Sequence, residues 1–339
     1  DWFFNPSDDR SFAAPDLNEK NGQWILINSN RNWSEITDCE NYKGIAWYHL
    51  KVKIAEIAAY GMFFTKTEAG TQIFLNGVLI YENRKDNSGN GFIQAKGPPD
   101  YFQLPISLLK AGDNVLAFRT GYLDHFTGFS RALWLGNFGS IKSKYNGFII
   151  RHTILSAVAI FLAGFFFVFF LFRRSDTYFL FYSLISLSLG LWILGYSCII
   201  YFIIDNHQAY IATTYIGSII VPPASLLFLH SFFHQRINAI AKTFIVVYGL
   251  FFVSMLVEWI GTGNVELYNR YIYDIFNSVN LLCIIYAIIF TILMNHRKAE
   301  YAGIICLGVG LYFLGSLVSL ITLLDVKNLG IYIIDGYFA

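Results

Sequence analysis

The chain has 339 residues, of which 55% are hydrophobic, 18% aromatic and only 14% charged, against about 25% charged in an ordinary soluble domain. Its net charge of +1 gives no basic surplus to argue for nucleic acid, and its four cysteines (Cys39, Cys198, Cys283, Cys306) show neither zinc spacing nor a disulfide framework. The charges are unevenly spread: 30 of the 47 lie in residues 1–147, fifteen of each sign, and 17 in the remaining 192 residues.

The first 147 residues read as a soluble, strand-rich domain. Ala46–Ile54 alternates with period two. Tyr48, Leu50, Val52 and Ile54 lie on one face, and Trp47, His49, Lys51 and Lys53 on the other, as in a half-buried strand. Further strands are expected at Gly61–Lys66, Gln72–Leu75, Val78–Tyr81, Asn114–Thr120 and Ala132–Leu135. Asn76-Gly77 between two of them is a strong hairpin signal, because both turn positions need positive φ. Asn83–Gly91 and Pro98-Pro99 read as loops, and strands at this spacing suggest a β-sandwich. No signal peptide opens the chain. Since residues 1–147 read as translocated, a leader is expected ahead of Asp1.

From residue 148 onward, apolar runs of about 20 residues recur, the length that crosses about 30 Å of hydrocarbon. Spans are expected at 148–172, 178–203, 210–234, 241–262, 268–294 and 301–324. The segment after Lys327, which holds Asp335, is expected to begin a seventh and to continue beyond Ala339. Short connections make neighbouring spans antiparallel. Arg173, Arg174, Arg236, Lys242, Arg297 and Lys298 fall on one side and only Arg270 and Lys327 on the other. The excess of cations marks the cytoplasmic side and puts the N-terminal domain outside.

Polar groups at membrane depth usually face the bundle interior. Asp274, Asn277 and Asn280 near the outer part of span five, Glu258 in span four and Asp335 in the seventh segment are candidates for a switching network. The alternative is that Glu258 reaches interfacial water and Asp274 only fixes packing. Pro222-Pro223 must remove helix hydrogen bonds in span three, as a hinge or as a static kink. His230 and His234, four residues apart, could ligate a metal only with a third ligand, and no metal or other cofactor is expected. No nucleophile elbow, phosphate loop or ligand cluster appears, so residues 1–339 are not expected to form an enzyme, which leaves open an output domain beyond them.

Four stretches resemble a known pattern: GIAWYHLKVKI, TQIFLNGVLIYEN, YFQLPISLLKAGDNVLAFRTG and GFSRALWLGN. Over residues 22–140 they are similar to the jelly-roll sugar-binding domain found beside glycoside hydrolase family 2 catalytic domains, with His49 where that pattern commonly has Arg. If so, Trp47, His49, Lys51, Arg119, Asp124 and His125 could converge on one sheet face as ligand contacts. Against this, Trp47 could pack under a loop and Arg119 could pair with an acidic neighbour. A jelly roll ahead of seven spans resembles the bacterial seven-transmembrane receptors with diverse intracellular signalling modules. That resemblance implies an N-terminal all-β jelly-roll domain (1–147) and a helical transmembrane bundle (148–339) in the bacterial inner membrane. It also implies an extracytoplasmic ligand or envelope protein, a cytoplasmic output domain and a homodimer. A membrane-anchored binding subunit of a larger envelope complex is the alternative.

Overall fold

The computed structural model describes residues 2–17, 24–27, 36, 39, 42, 44–64, 70–82, 97–121, 133–263, 265, 267–310 and 331–334. The chain divides into two compact units, residues 1–150 with 323–339, and residues 151–322.

The first unit holds two sheets. One has the strand order β2-β1-β3-β8-β5-β6, formed by β1 (Trp2–Asn5), β2 (Ile25–Ile27), β3 (Ile45–Ile54), β5 (Thr71–Leu75), β6 (Val78–Glu82) and β8 (Gly112–Gly121). The other runs β10-β9-β4-β7, from β4 (Tyr60–Phe64), β7 (Asp100–Gln103), β9 (Leu133–Asn137) and β10 (Ile331–Ile334). Every pairing is antiparallel except β9 with β10. The inward residues of both sheets share one core, including Phe4, Tyr48, Leu50, Ile54, Met62, Ile73, Phe118 and Leu135. This is the sandwich that the alternation in β3 foretells, because period-two burial on one face needs a second layer to cover it.

Asn76-Gly77 makes the hairpin between β5 and β6, with φ of 49° and 89°. The Asn76 side chain then ties the turn down. Its Nδ2 donates to the Leu108 carbonyl (2.8 Å), and its Oδ1 accepts from the Val115 amide (2.9 Å). Strands β1, β2 and β7, of three or four residues, were not among the expected ones.

Helix α1 (Phe138–Phe172) starts ten residues before the expected span. Its first turns belong to the sandwich. Tyr145 packs on Tyr101 and Phe63, with ring centroids 4.4 and 5.7 Å apart, and the Lys144 ammonium sits 3.7 Å from the Trp134 ring centroid.

The second unit contains the rest of α1, then α2 (Tyr178–Tyr196), α3 (Ile200–Ile203) and α4 (His207–Ile211). A π turn at Ala212–Ile216 leads into α5 (Gly217–Phe232). Helix α6 (Ala239–Thr262), a second π turn at Tyr268–Ile272 and α7 (Tyr273–His296) follow. Five helical stretches, 138–172, 178–196, 207–232, 239–262 and 274–296, are long and apolar enough to cross a membrane among the described residues.

Packing in this unit depends on small residues, as expected where lipid removes the hydrophobic drive between helices. The Ser156 hydroxyl of α1 donates to the Gly190 carbonyl of α2 (2.9 Å), and Ser183 of α2 to the Ala163 carbonyl of α1 (2.7 Å). A Cβ on Gly217 would lie 2.8 Å from the Ser188 carbonyl oxygen and 2.9 Å from the Trp192 nitrogen, so α2 and α5 touch backbone to backbone there.

The last two expected spans are described only in part. The expected sixth span is helical over 302–310, and its remainder lies outside the described residues. Of the expected seventh, only Ile331–Ile334 is described, and it is a strand parallel to Leu133–Gly136, not a helix. A short β-branched run finds its backbone partners on the edge of β9, which supplies the hydrogen bonds that a helix would make internally.

Candidate functional site

The expected ligand face is the side of β3 and β8 turned away from the main core. It carries a second, smaller core. Trp47 and Ala117 are buried there with Phe12 and Ala13, and Leu17, Trp24 and Phe74 pack against them. The cover is a 3-10 turn, Arg10–Ala13, started by Asp9, whose carboxylate accepts from the Ser11 amide (2.8 Å). Phe12 meets the Trp47 ring edge-on at 6.3 Å, and the Phe74 ring lies 5.4 Å from it, tilted by 33°. His49 is fully buried. Its Nε2 contacts the Phe12 carbonyl, and its ring lies 4.7 Å from that of Trp24.

Arg119 is also buried, and Asp8 clamps it with two hydrogen bonds of 2.6 Å, from Nε to Oδ1 and from Nη2 to Oδ2. The guanidinium also donates to Gln72 Oε1 (3.0 Å), and Gln72 Nε2 donates to Glu82 Oε1 (2.7 Å). Asp8, Arg119, Gln72 and Glu82 thus form a polar chain across β8, β5 and β6. The hydrogen bonds from Arg119 hold the Asp8 carboxyl below the usual carboxylate range, against the opposing pull of burial. The Trp47 indole N–H lies near this carboxylate but outside hydrogen-bond geometry.

The structure therefore brings Trp47, His49 and Arg119 onto one face, with Lys51 exposed further along β3. Asp124 and His125 lie outside the described residues. Asp8, Phe12, Trp24 and Gln72 complete the arrangement, and the sequence offered no signal for them. Asp8 is 111 residues from Arg119, and a single 3-10 turn has no periodicity to detect.

In the second unit the polar candidates separate. Both Glu258 carboxylate oxygens accept backbone amides at the start of the second π turn, Leu267 N at 2.5 Å and Tyr268 N at 2.7 Å. Glu258 thus caps these amides with a side chain delivered from α6. Asp274 and Asn277 sit exposed on α7, and the Asp274 carbonyl accepts from the Ser278 hydroxyl (2.9 Å). Asn280 accepts from the Tyr248 hydroxyl of α6 (2.5 Å). Asp335 lies outside the described residues. Pro222 and Pro223 lie within α5, half-buried, and the helix continues through both.

His230 is buried and bridges α5 to α7. Its Nδ1 lies 3.1 Å from the Arg236 carbonyl and its Nε2 2.9 Å from the Tyr286 hydroxyl. His234 falls past the end of α5 with φ of 49°, so the two histidines do not share a helical face. No group of three potential metal ligands occurs among the described residues.

The model of the family described as 7TM diverse intracellular signalling matches residues 150–338, more than half of the chain. The chain belongs to that family. In this 7TM signalling protein the family segment begins within α1. Solved structures similar to the chain include a beta-glucuronidase from glycoside hydrolase family 2 (20% identity, 36% of this chain and 13% of that one, TM-score 0.27). A beta-glycosidase from Bacteroides vulgatus shares 15% identity over 38% of this chain and 17% of its own, with a TM-score of 0.26. For the Faecalibacterium prausnitzii beta-glucuronidase the values are 19%, 35%, 20% and 0.26. The chain spans between 13 and 20% of the length of these solved structures. No curated protein matches it.

Proposed function

We propose that the chain is a transmembrane sensory receptor whose sandwich receives an extracytoplasmic signal, a saccharide, another envelope component or a partner protein. The family match over the helical bundle, on a chain that also carries a β-sandwich, is the observation behind this reading. In this reading the bundle passes the signal to a cytoplasmic output module, and a homodimer supplies the rearrangement. The cation-rich connections, with Arg173, Arg174, Arg236, Arg297 and Lys298, favour a cytoplasmic location for those helix ends and an outer, periplasmic location for the sandwich. Ligand would act by binding one arrangement of the helices better than another, since only differential affinity shifts a population.

The test is thermal unfolding of the full chain in lipid nanodiscs, titrated with soluble oligosaccharides and with peptidoglycan fragments. A ligand at a hundred times its Kd stabilises the state that binds it by about 2.7 kcal/mol, which moves the transition by several degrees. A shift that survives removal of the bundle, but is absent from a sandwich-deleted chain, places reception in the sandwich. No shift with any of these compounds turns the proposal toward a protein partner.

A further inference from the structure

The two π turns of the bundle meet. Tyr215, inside Ala212–Ile216, packs edge-on against Tyr268, the first residue of Tyr268–Ile272, with ring centroids 6.0 Å apart at 85°. Both rings are buried. A π turn is one residue wider than the α-helix around it, and such insertions persist only where the surroundings hold them.

Three features bear on how the first turn is held. Gly195 of α2 sits against it, and a Cβ there would lie 2.7 Å from both Thr213 Oγ1 and the Thr214 nitrogen. The space at Gly195 is therefore fitted to the wide turn. Thr213 back-bonds to the Ala209 carbonyl (2.7 Å), whereas the neighbouring Thr214 hydroxyl is buried with no hydrogen-bond partner among the described residues. An α register would let Thr214 bond four residues back, to Tyr210, as Thr213 does now. Further along the same span, Pro222 and Pro223 lack the N–H groups that would reach the Ser218 and Ile219 carbonyls. The helix ladder is already interrupted there, so that point can take up an extra residue with little further loss.

We propose that the extra residue of the third span moves between two seats, the π turn at Ala212–Ile216 and the Pro222-Pro223 break, and that Tyr268 reads which seat is filled. Moving it turns the intervening segment by about 100°, one residue of α-helix, and carries Tyr215 off Tyr268. The second π turn, whose first amides Glu258 holds, then loses its packing partner. The coupling lies within the bundle and is independent of which ligand the sandwich takes.

The test is hydrogen exchange of the full chain in phospholipid nanodiscs, followed at amides 212–216 and 268–272. Thr214→Val removes the unpartnered hydroxyl and favours the observed seat. Exchange should slow roughly tenfold in both turns, the effect of relieving one buried unsatisfied group. Gly195→Ala fills the space beside the wide turn, and exchange should quicken in both. A change confined to 212–216, or no change in either turn, overturns the coupling. If Gly195→Ala does not fold, the Thr214→Val result decides alone.

Discussion

His230 shows how much one buried side chain fixes. A carbonyl can only accept, so Nδ1 must carry the proton toward Arg236, and Nε2 must then accept from the Tyr286 hydroxyl. Both nitrogens are engaged, and neither is open to a metal. Tyr286→Phe should cost about 0.6 kcal/mol, the average for hydrogen bonds between membrane helices, and no more than about 1.7 kcal/mol. A double-mutant cycle with His230→Leu, read by unfolding in detergent, should recover that coupling. Asp8 is the corresponding case in the sandwich. Asp8→Asn leaves the buried Arg119 guanidinium without its charge partner and should destabilise the sandwich by about 2 kcal/mol by tryptophan fluorescence melts, since Asp8 itself is only partly shielded from water. The folded-state pKa of Asp8 is depressed, so its contribution is present above the unfolded value near 4 and is lost as pH falls through the lower folded value. Melts of wild type and Asp8→Asn should differ at about pH 6 and converge once the pH has fallen through the depressed folded-state value. The alternation in β3 put Trp47 and His49 on the second face correctly. A covered Trp47 and an acid-paired Arg119 were among the readings of the sequence, but which residues supply them was not legible, because the cover lies more than thirty residues upstream in a turn without a repeating pattern.

At the scale of elements, two contacts bear most on order within the bundle. Gly217→Ala sets a methyl against the backbone of Ser188 and Trp192, which cannot rotate away as a side chain tip would. It should cost about 1–3 kcal/mol, or part α2 from α5, seen as a lowered melting temperature and faster exchange along both helices. Glu258→Ala removes the cap from the second π turn and should cost about 1 kcal/mol, with exchange rising first at Leu267 and Tyr268. Glu258→Gln keeps one acceptor and should fall between the two. The hairpin at Asn76-Gly77 and the longer strands were readable from turn chemistry and period. The short strands β1, β2 and β7 were not, because three or four residues barely complete a period. Neither were the π turns. Runs that are apolar on all sides, as in the third span, carry no phase from which a one-residue insertion could be noticed.

At the scale of the molecule, composition alone separates a charged N-terminal part from an apolar remainder, and the family model covers residues 150–338. The number of spans was less legible. Apolar length shows that a segment could cross a bilayer, but residues 331–334 show that a short apolar run also satisfies a sheet edge. Topology is testable directly. With the native cysteines replaced by serine, Asp205→Cys, exposed at one end of the bundle, should react with an impermeant thiol reagent on intact cells. Gln235→Cys, exposed beside the cation-rich connection, should react only after lysis. The opposite pattern would invert the proposed orientation.

The roof over Trp47 and His49 makes the sandwich its own first ligand. If the proposed ligand takes this face, Phe12 and Trp24, tethered over it, compete with that ligand at an effective concentration in the millimolar range for a short tether. If the roof stands open about one part in a hundred, a ligand for that face binds about a hundredfold more weakly than its contacts alone would give. In the proposed receptor, a ligand taken on this face would therefore be answered at abundance and not at trace levels. Shaving the roof with Phe12→Ala would lower its threshold without touching a residue on the strands beneath.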